Sequence, residues 1–196
     1  MRRLHLVRHG PTHAKGMTGW TDLPADLSDT AAIARLTAHL PAEAVMISSD
    51  LCRAVATADA LSLPGRRRLP HETLWREMHF GAWENRRYAE IEAEDPERIA
   101  AFWERPGDVR PPGGESWNEL LARITGALTR LSDNPATDTI VVCHFGAIVG
   151  ALQICLGLST EEAFAHRIDN LSVTSLCQII GPDGSRWQAE AVNHIP

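Results

Sequence analysis

Two adjacent residues near the start of the chain, Arg8 and His9, carry complementary chemistry within the stretch Leu4-His5-Leu6-Val7-Arg8-His9-Gly10-Pro11-Thr12. A guanidinium grips an oxyanion with two parallel donors, and a neutral imidazole is a nucleophile or base near pH 7. Side by side they read as a seat for a phosphate and its attacker. Leu4, Leu6 and Val7 suit a short buried strand, which Gly10 and Pro11 break. Arg8 and His9 are therefore expected at a strand's carboxyl end, the edge at which open α/β sheets bind ligands. A three-residue pattern is common by chance, so its weight depends on what else reaches that edge.

Two further junctions bring matching groups. Ala44–Ser48 reads as a second buried strand, and a helix capped by Ser49 or Asp50 and running to about Leu61 places Arg53 in its first turn. Thr139–Cys143 is the clearest buried strand; it ends at His144-Phe145-Gly146, with a helix from about Ala147 to Leu156. In a parallel sheet these ends share one edge, so two Arg and two His converge on a pocket suited to a tetrahedral dianion. Glu77, in the irregular aromatic stretch Leu74–Trp83, adds a carboxyl group whose apolar setting favours the protonated form. Nucleophile, anion clamp and proton donor are the minimal parts for phosphoryl transfer without a metal. Asp22, Glu72 and Glu84 stand as alternative acids.

The elements that must position these groups alternate between strand and helix. Gly16–Asp26 is punctuated as a loop, and a helix over Asp29–Leu40, capped by Ser28 or Asp29, carries Ile33, Leu36 and Leu40 on one face. Arg66-Arg67-Arg68 reads as a solvated edge strand, and Tyr88–Trp103 as a helix with a break at Pro96. Pro106–Glu115 is a Pro/Gly-rich loop. Ser116 caps a helix to about Leu131 with Leu120, Leu121, Ile124 and Leu128 at helical spacing. Val173–Ile180 and Arg186–Val192 flank the turn Gly181-Pro182-Asp183-Gly184 as a hairpin. The fold class expected is α/β: a mostly parallel central sheet with helices on both faces, forming one domain over 1–196.

Bulk properties bound the partners. The 196 residues carry 44% apolar and 22% charged residues with a net charge of −6, which argues against a general nucleic-acid or anionic-membrane binder. Phosphate affinity must come from a local cluster. Cys52, Cys143, Cys155 and Cys177 are scattered without a CxxC pair and read as reduced. Too few apolar residues precede Arg8 for a signal peptide, and no stretch approaches a membrane span, so a cytoplasmic location is expected. No His spacing suggests a metal site, so neither metal nor other cofactor is expected. Trp75, Trp83 and Trp103 read as lid and core packing.

Taken together, the motifs resemble the histidine phosphatase superfamily, whose members are also described as phosphoglycerate mutase-like. Leu6-Val7-Arg8-His9-Gly10-Pro11-Thr12 is similar to its signature, and Ser48-Ser49-Asp50-Leu51-Cys52-Arg53-Ala54-Val55-Ala56-Thr57-Ala58 to its second-Arg segment. Glu77-Met78-His79-Phe80-Gly81-Ala82-Trp83-Glu84 resembles the segment carrying its acid. Gly113-Gly114-Glu115-Ser116, Val142-Cys143-His144-Phe145-Gly146, Asn170 and Val173–Leu176 extend the match, in order, over essentially the whole chain. The resemblance implies the family's three-layer fold, with a lid and substrate region around 78–115. It also implies a phosphohistidine at His9. Arg8, Arg53 and His144 would bind the phosphoryl oxygens, and Glu77 would protonate the leaving alcohol and then deprotonate water. Thr12, Thr18 and Gly19 are further substrate-side candidates, Thr18-Gly19 preceding Trp20 as in the mutases.

Lys15 and Pro11 fall where many members have Asn and Glu, and Thr30 and Asn85 where Gly is frequent. The short chain and Ala147-Ile148 after the second His-Phe-Gly look more like the α-ribazole phosphatase and broad-specificity phosphatase branch than the cofactor-dependent mutases. The resemblance thus implies a phosphomonoesterase acting on a small phosphorylated metabolite. A phosphoglycerate mutase and a non-catalytic phosphoester-binding module are the alternatives. Substrate identity and homo-oligomerisation are left open.

Overall fold

The computed structural model describes residues 2–132, 134–181 and 184–196. Among them are six strands, β1 (Arg2–Arg8), β2 (Ala44–Ser48), β3 (Arg66–Arg68), β4 (Asp138–Cys143), β5 (Val173–Gly181) and β6 (Gly184–His194). The helices are α1 (Thr30–His39), α2 (Cys52–Ala60), α3 (Tyr88–Glu92), α4 (Pro96–Glu104), α5 (Trp117–Ser132), α6 (Phe145–Leu156) and α7 (Thr160–Phe164). The strands form one sheet in the order β3-β2-β4-β1-β5-β6. The first four are mutually parallel, while β5 runs antiparallel to β1 and β6 antiparallel to β5.

Side chains alternate along each strand, so the sheet builds two cores. Leu4, Leu6, Val45, Ile47, Val141 and Cys143 pack with Leu120 and Ile124 of α5 and Ile148 and Leu152 of α6. Val7, Met46, Ile140 and Val142 pack on the opposite face with Leu36 and Leu40 at α1 and Ala54, Ala58 and Leu61 at α2. Helices therefore cover both faces, as a sheet of buried parallel strands requires.

The register sets the site edge. Arg8 lies opposite Cys143 and Ser48 opposite Val142, so β1, β4 and β2 end nearly level. His9 N then donates to Cys143 O at 3.1 Å and Ser49 N to Val142 O at 3.0 Å, which carries the pairing one residue past each end.

Several local expectations are corrected. Helix α2 is not capped by Ser49 or Asp50: Asp50 makes a bidentate pair with Arg76 at 2.8 and 2.6 Å, and Asp22 reaches across to accept from Cys52 N at 2.7 Å. Asp29 and Ser116 do cap α1 and α5. The break expected at Pro96 within Tyr88–Trp103 is present, since Pro96 opens α4 and Asp95 caps it. Helix α6 begins two residues earlier than expected, at Phe145. The short α7, opened by a Ser159–Glu162 capping box, was not expected. Arg66 is not solvated: it is buried and donates to the carbonyls of Thr37, Leu40, Pro41 and Leu61, where the ends of α1 and α2 leave acceptors unpaired. The hairpin of β5 and β6 is present, while Pro182 and Asp183 of its expected turn lie outside the described residues.

Candidate active site

Arg8, His9, Arg53, His144 and Glu77 converge at the level ends of β1 and β4. His9 is buried, and its Nδ1 lies 2.6 Å from Gly10 O. A carbonyl only accepts, so Nδ1 carries the proton and Nε2 keeps its lone pair. Arg53 Nε donates to that Nε2 at 3.2 Å. Burial, then the nearby Arg53 and Arg8 charges, push the His9 pKa down to about 3, against a smaller opposing effect of the Gly10 bond. Desolvation is thus the larger cause of its neutrality, ahead of the arginines.

Arg53 is held from behind by the carbonyls of Gly19 at 2.6 Å and Thr21 at 2.8 Å. Thr57, one turn along α2, accepts from Gly10 N at 3.0 Å and donates to Arg53 O at 2.7 Å, tying the β1 loop to α2. Asn170 fixes the other side by donating to His9 O at 2.8 Å. Arg8 donates to Ile168 O at 2.6 Å and stacks its guanidinium over Phe145, while its buried Nε has no partner. Burial lowers the pKa of both arginines, yet a guanidinium stays cationic at any working pH.

His144 is fully buried at the N-cap of α6, with its ring centroid 5.0 Å from that of His9. Neither ring nitrogen has a hydrogen-bond partner, and burial, then His9 and the arginines, hold its pKa well below the ordinary value. Buried polar atoms without partners are rare and costly, so Arg8 Nε and both His144 nitrogens mark a place built for a polar guest.

Glu77 faces this place from the other side. Its carboxylate accepts from Met78 N at 2.8 Å and from Gly146 N at 3.0 and 3.1 Å, near the N-terminus of α6. Burial raises its pKa against the opposing pull of those N–H groups and of Arg53 and Arg8. A β-carbon at position 146 would meet Glu77 Oε1, so any side chain there would push the carboxylate aside. The backbone carbonyl of Glu77 accepts from Trp20 Nε1 at 2.8 Å and from Arg123 at 3.3 Å. Arg123 also holds the carbonyls of Leu74 and Arg76 and pairs with Glu115 at 2.8 Å.

The alternative acids are committed elsewhere. Asp22 caps α2, and Glu72 pairs with Arg130 and caps the turn at Thr73–Trp75. Glu84 gathers the N–H groups of Gly19, Trp20, Thr21 and Phe80 and the Thr21 hydroxyl. Burial pushes Glu84 up, but these bonds outweigh it and hold its pKa low. Of the other substrate-side candidates, Gly19 joins the site through its carbonyl on Arg53. The Thr12 hydroxyl accepts from Ala14 N and that of Thr18 donates to Gly16 O. Neither is hydrogen-bonded to the five converging residues among the described contacts. Asn85 replaces a frequent glycine at φ +62°, a left-handed conformation Asn tolerates better than most residues. Among the described residues no helix is long and apolar enough to cross a membrane.

Thr57 and Arg123 were not singled out from the sequence, and Glu84 was named there only as an alternative acid, not as the brace it forms. Arg123 left a signal, a charge bordering the apolar stripe of α5. Thr57 and Glu84 lie inside the stretches already matched to the family but carry no distinguishing spacing.

Comparison with known proteins places the chain among phosphatases and mutase-like proteins. A glucosyl-3-phosphoglycerate phosphatase of Mycolicibacterium vanbaalenii is 31% identical over 83% of this chain and 77% of its own. A phosphoglycerate mutase-like protein of Arabidopsis thaliana is 28% identical over 97% of this chain and 85% of its own. The solved structure of a mycobacterial glucosyl-3-phosphoglycerate phosphatase with inorganic phosphate superposes with a TM-score of 0.83 at 26% identity, covering 99% of this chain and 98% of that one. The sequence profile of histidine phosphatases spans residues 4–195, and with it the whole constellation, so the chain belongs to the histidine phosphatase superfamily, branch 1.

Proposed function

We propose that this chain is a metal-independent phosphomonoesterase that works through a phosphohistidine on His9. The observation that carries the reading is the fixed tautomer of His9: Nδ1–H is spent on Gly10 O, so the lone pair sits on Nε2, where it accepts from Arg53 Nε until a phosphoryl group takes that N–H. In the first step Nε2 attacks phosphorus and the P–O bond to the alcohol breaks as the P–N bond forms. Arg8, Arg53 and His144 hold the phosphoryl oxygens, whose charge they stabilise in a water-poor site. Glu77, whose burial favours the protonated form, gives its proton to the departing alkoxide. In the second step the Glu77 carboxylate takes a proton from water, the water oxygen attacks phosphorus, the P–N bond breaks and inorganic phosphate leaves. The phosphatases among its relatives support the hydrolytic outcome, the substrate being a small phosphorylated metabolite of a cytoplasmic enzyme.

Quenching the enzyme during turnover of a phosphorus-labelled ester is expected to trap an acid-labile, base-stable phosphoprotein with the label on His9. His9→Ala should lose turnover by several orders of magnitude, because no other group is placed to take the phosphoryl. Near-normal turnover by His9→Ala would overturn the covalent route. Interconversion of 2- and 3-phosphoglycerate without phosphate release would overturn the hydrolase reading.

A further inference from the structure

Beside Glu77 the structure opens a pocket that the phosphoryl chemistry leaves unused. Glu77 and the Phe145-Gly146 start of α6 form its inner end. Its wall is made by Phe80, Phe102, Trp103, Val109, Trp117 and Phe164. The rings brace one another: Phe102 meets Trp103 edge-on at 5.1 Å, and Trp117 meets Phe164 at 4.5 Å. The indole N–H of Trp117 is turned onto Gln153 at 2.9 Å, so it offers the pocket no donor. Among the described residues of the lining, Glu77 is the only charged side chain.

This bears on the substrate, given the proposed role of Glu77. A group that protonates the leaving oxygen lies next to that oxygen, so whatever is bonded to the oxygen continues into the space beyond Glu77. There a sugar or ribose hydroxyl would lose its water without gaining a partner. A glycerate carboxylate would enter a wall with no cation. An apolar chain or ring would gain by burial. We infer that this pocket holds the alcohol part of the ester and that the preferred substrate class is the monophosphate of an alkyl or aryl alcohol, ahead of sugar, glycerate or nucleotide phosphates. The inference rests on the proposed role of Glu77 but not on the rate of any one ester. The pocket's volume is about 60 Å³, against roughly 10–15 Å³ for one water-sized group, so about five non-hydrogen atoms fit inside its rim.

The test is a series of straight-chain alkyl phosphates, in which leaving-group acidity hardly changes while buried length does. For the wild-type protein kcat/KM should climb roughly two- to fourfold per methylene and level off near five carbons. Pentyl phosphate should exceed 3-phosphoglycerate and glucose 6-phosphate by about tenfold or more. A flat series, or a polar ester outperforming pentyl phosphate, overturns the inference. Val109→Asp places a carboxylate in the wall and should flatten the climb; an unchanged slope overturns it. If Val109→Asp does not fold, Trp103→Ala removes a ring that is 45% exposed at the rim and should cut the gain for the longest chains, with an unchanged gain counting against the pocket. The same lengths as alkylphosphonates, which cannot be hydrolysed, give dissociation constants by calorimetry. If no ester releases phosphate, the hydrolase reading fails, and the chain-length dependence of phosphonate binding alone decides the pocket, tightening with length supporting it and a flat series overturning it.

Discussion

The two ends that the proposed mechanism uses, the phosphoryl end and the acid end, are built by different means. Arg8, His9 and His144 stand at or just past the ends of parallel strands, where ladder bonds such as His9 N to Cys143 O fix the backbone. Glu77 belongs to no strand or helix. It lies between two single turns, Thr73–Trp75 and Gly81–Trp83, whose backbone is pinned by side chains from elsewhere. Arg123 holds three carbonyls, Trp20 shares one of them, and Glu84 holds the N–H of Phe80. A strand end is positioned by many bonds of which each matters little; a pinned loop depends on a few side chains. Substitutions around the acid should therefore alter protonation chemistry while leaving anion binding largely in place.

The largest effect expected on the acid side comes from Glu77→Gln, which keeps the shape and both N–H contacts but has no proton to give. Phosphorylation of His9 by an alkyl phosphate should slow by roughly a hundredfold or more, the usual scale for general acid catalysis. An activated aryl phosphate should lose less, because its leaving group hardly needs a proton. The contrast has to be read in the burst of alcohol release, since in the proposed mechanism Glu77 also serves the hydrolytic step. The pH profile gives an independent check. His9 is neutral down to about pH 3, so no acid limb is expected near ordinary imidazole values. Glu77 keeps its proton to a raised pH and loses it above, so the wild-type profile for alkyl esters should fall on the alkaline side of the normal carboxylate range. Glu77→Gln should abolish that limb. Equal burst losses for alkyl and aryl esters would make Glu77 a structural residue and dissolve the contrast between the two ends.

Gly146→Ala tests the joint where the two ends touch. Gly146 N donates to both carboxylate oxygens, and two residues earlier His144 faces the phosphoryl place. The added methyl would drive Glu77 away from that N–H without removing any group. A displacement of this kind costs roughly ten- to hundredfold in turnover. In a Glu77→Gln background the same change should add little, because both act on one contact. Inhibition by inorganic phosphate should stay near the wild-type value. A large loss of phosphate affinity would mean that the start of α6, and not the acid, had moved.

How much of this was legible in the sequence follows the same division. Arg8 and His144 were placed correctly because each interrupts an apolar run, and Arg53 because it follows one at the spacing of a first helical turn. Periodicity of two and a breaker suffice for that. The acid could be named from a resemblance, but not what holds it. Glu115 reads equally well as a cap or a substrate contact, and only the fold shows it pairing with Arg123. Ser49 or Asp50 reads as the cap of α2, and only the fold sends Asp50 to Arg76 and brings Asp22 from a loop 30 residues away. Arg66 reads as solvent-facing because three arginines in a row usually are; its burial depends on two helix ends meeting at the sheet edge. Such side-chain-to-backbone ties join segments far apart in sequence, so no local pattern records them.

Glu84 is the residue at which the contrast between the two ends is weakest. Its carboxylate holds Phe80 N beside the acid and also Gly19 N and Thr21 N, and the carbonyls of Gly19 and Thr21 are the ones that brace Arg53. One side chain thus ties the acid loop to the phosphoryl end. Glu84→Gln keeps one acceptor oxygen but turns an amide toward N–H groups, leaving at least one donor unpaired, at a cost of about 1–3 kcal/mol in unfolding free energy. The pH dependence has a definite sign. Glu84 is held below its ordinary pKa in the folded chain, so its stabilisation is present above the usual carboxylate range and is lost as pH falls through the lowered value. The stability gap between wild type and Glu84→Gln, measured by urea unfolding, should be full at pH 7 and shrink as the pH is taken below about 4.5. The kinetic cost should be only a few-fold, but shared: weaker inhibition by inorganic phosphate, because Arg53 loses its brace, together with a smaller alkyl-over-aryl penalty in the burst. Weakened phosphate binding would show that the anion clamp depends on a loop as well as on strand ends. An unchanged phosphate affinity with a reduced acid contribution would restore the division, with Arg53 held by α2 and Thr57 alone.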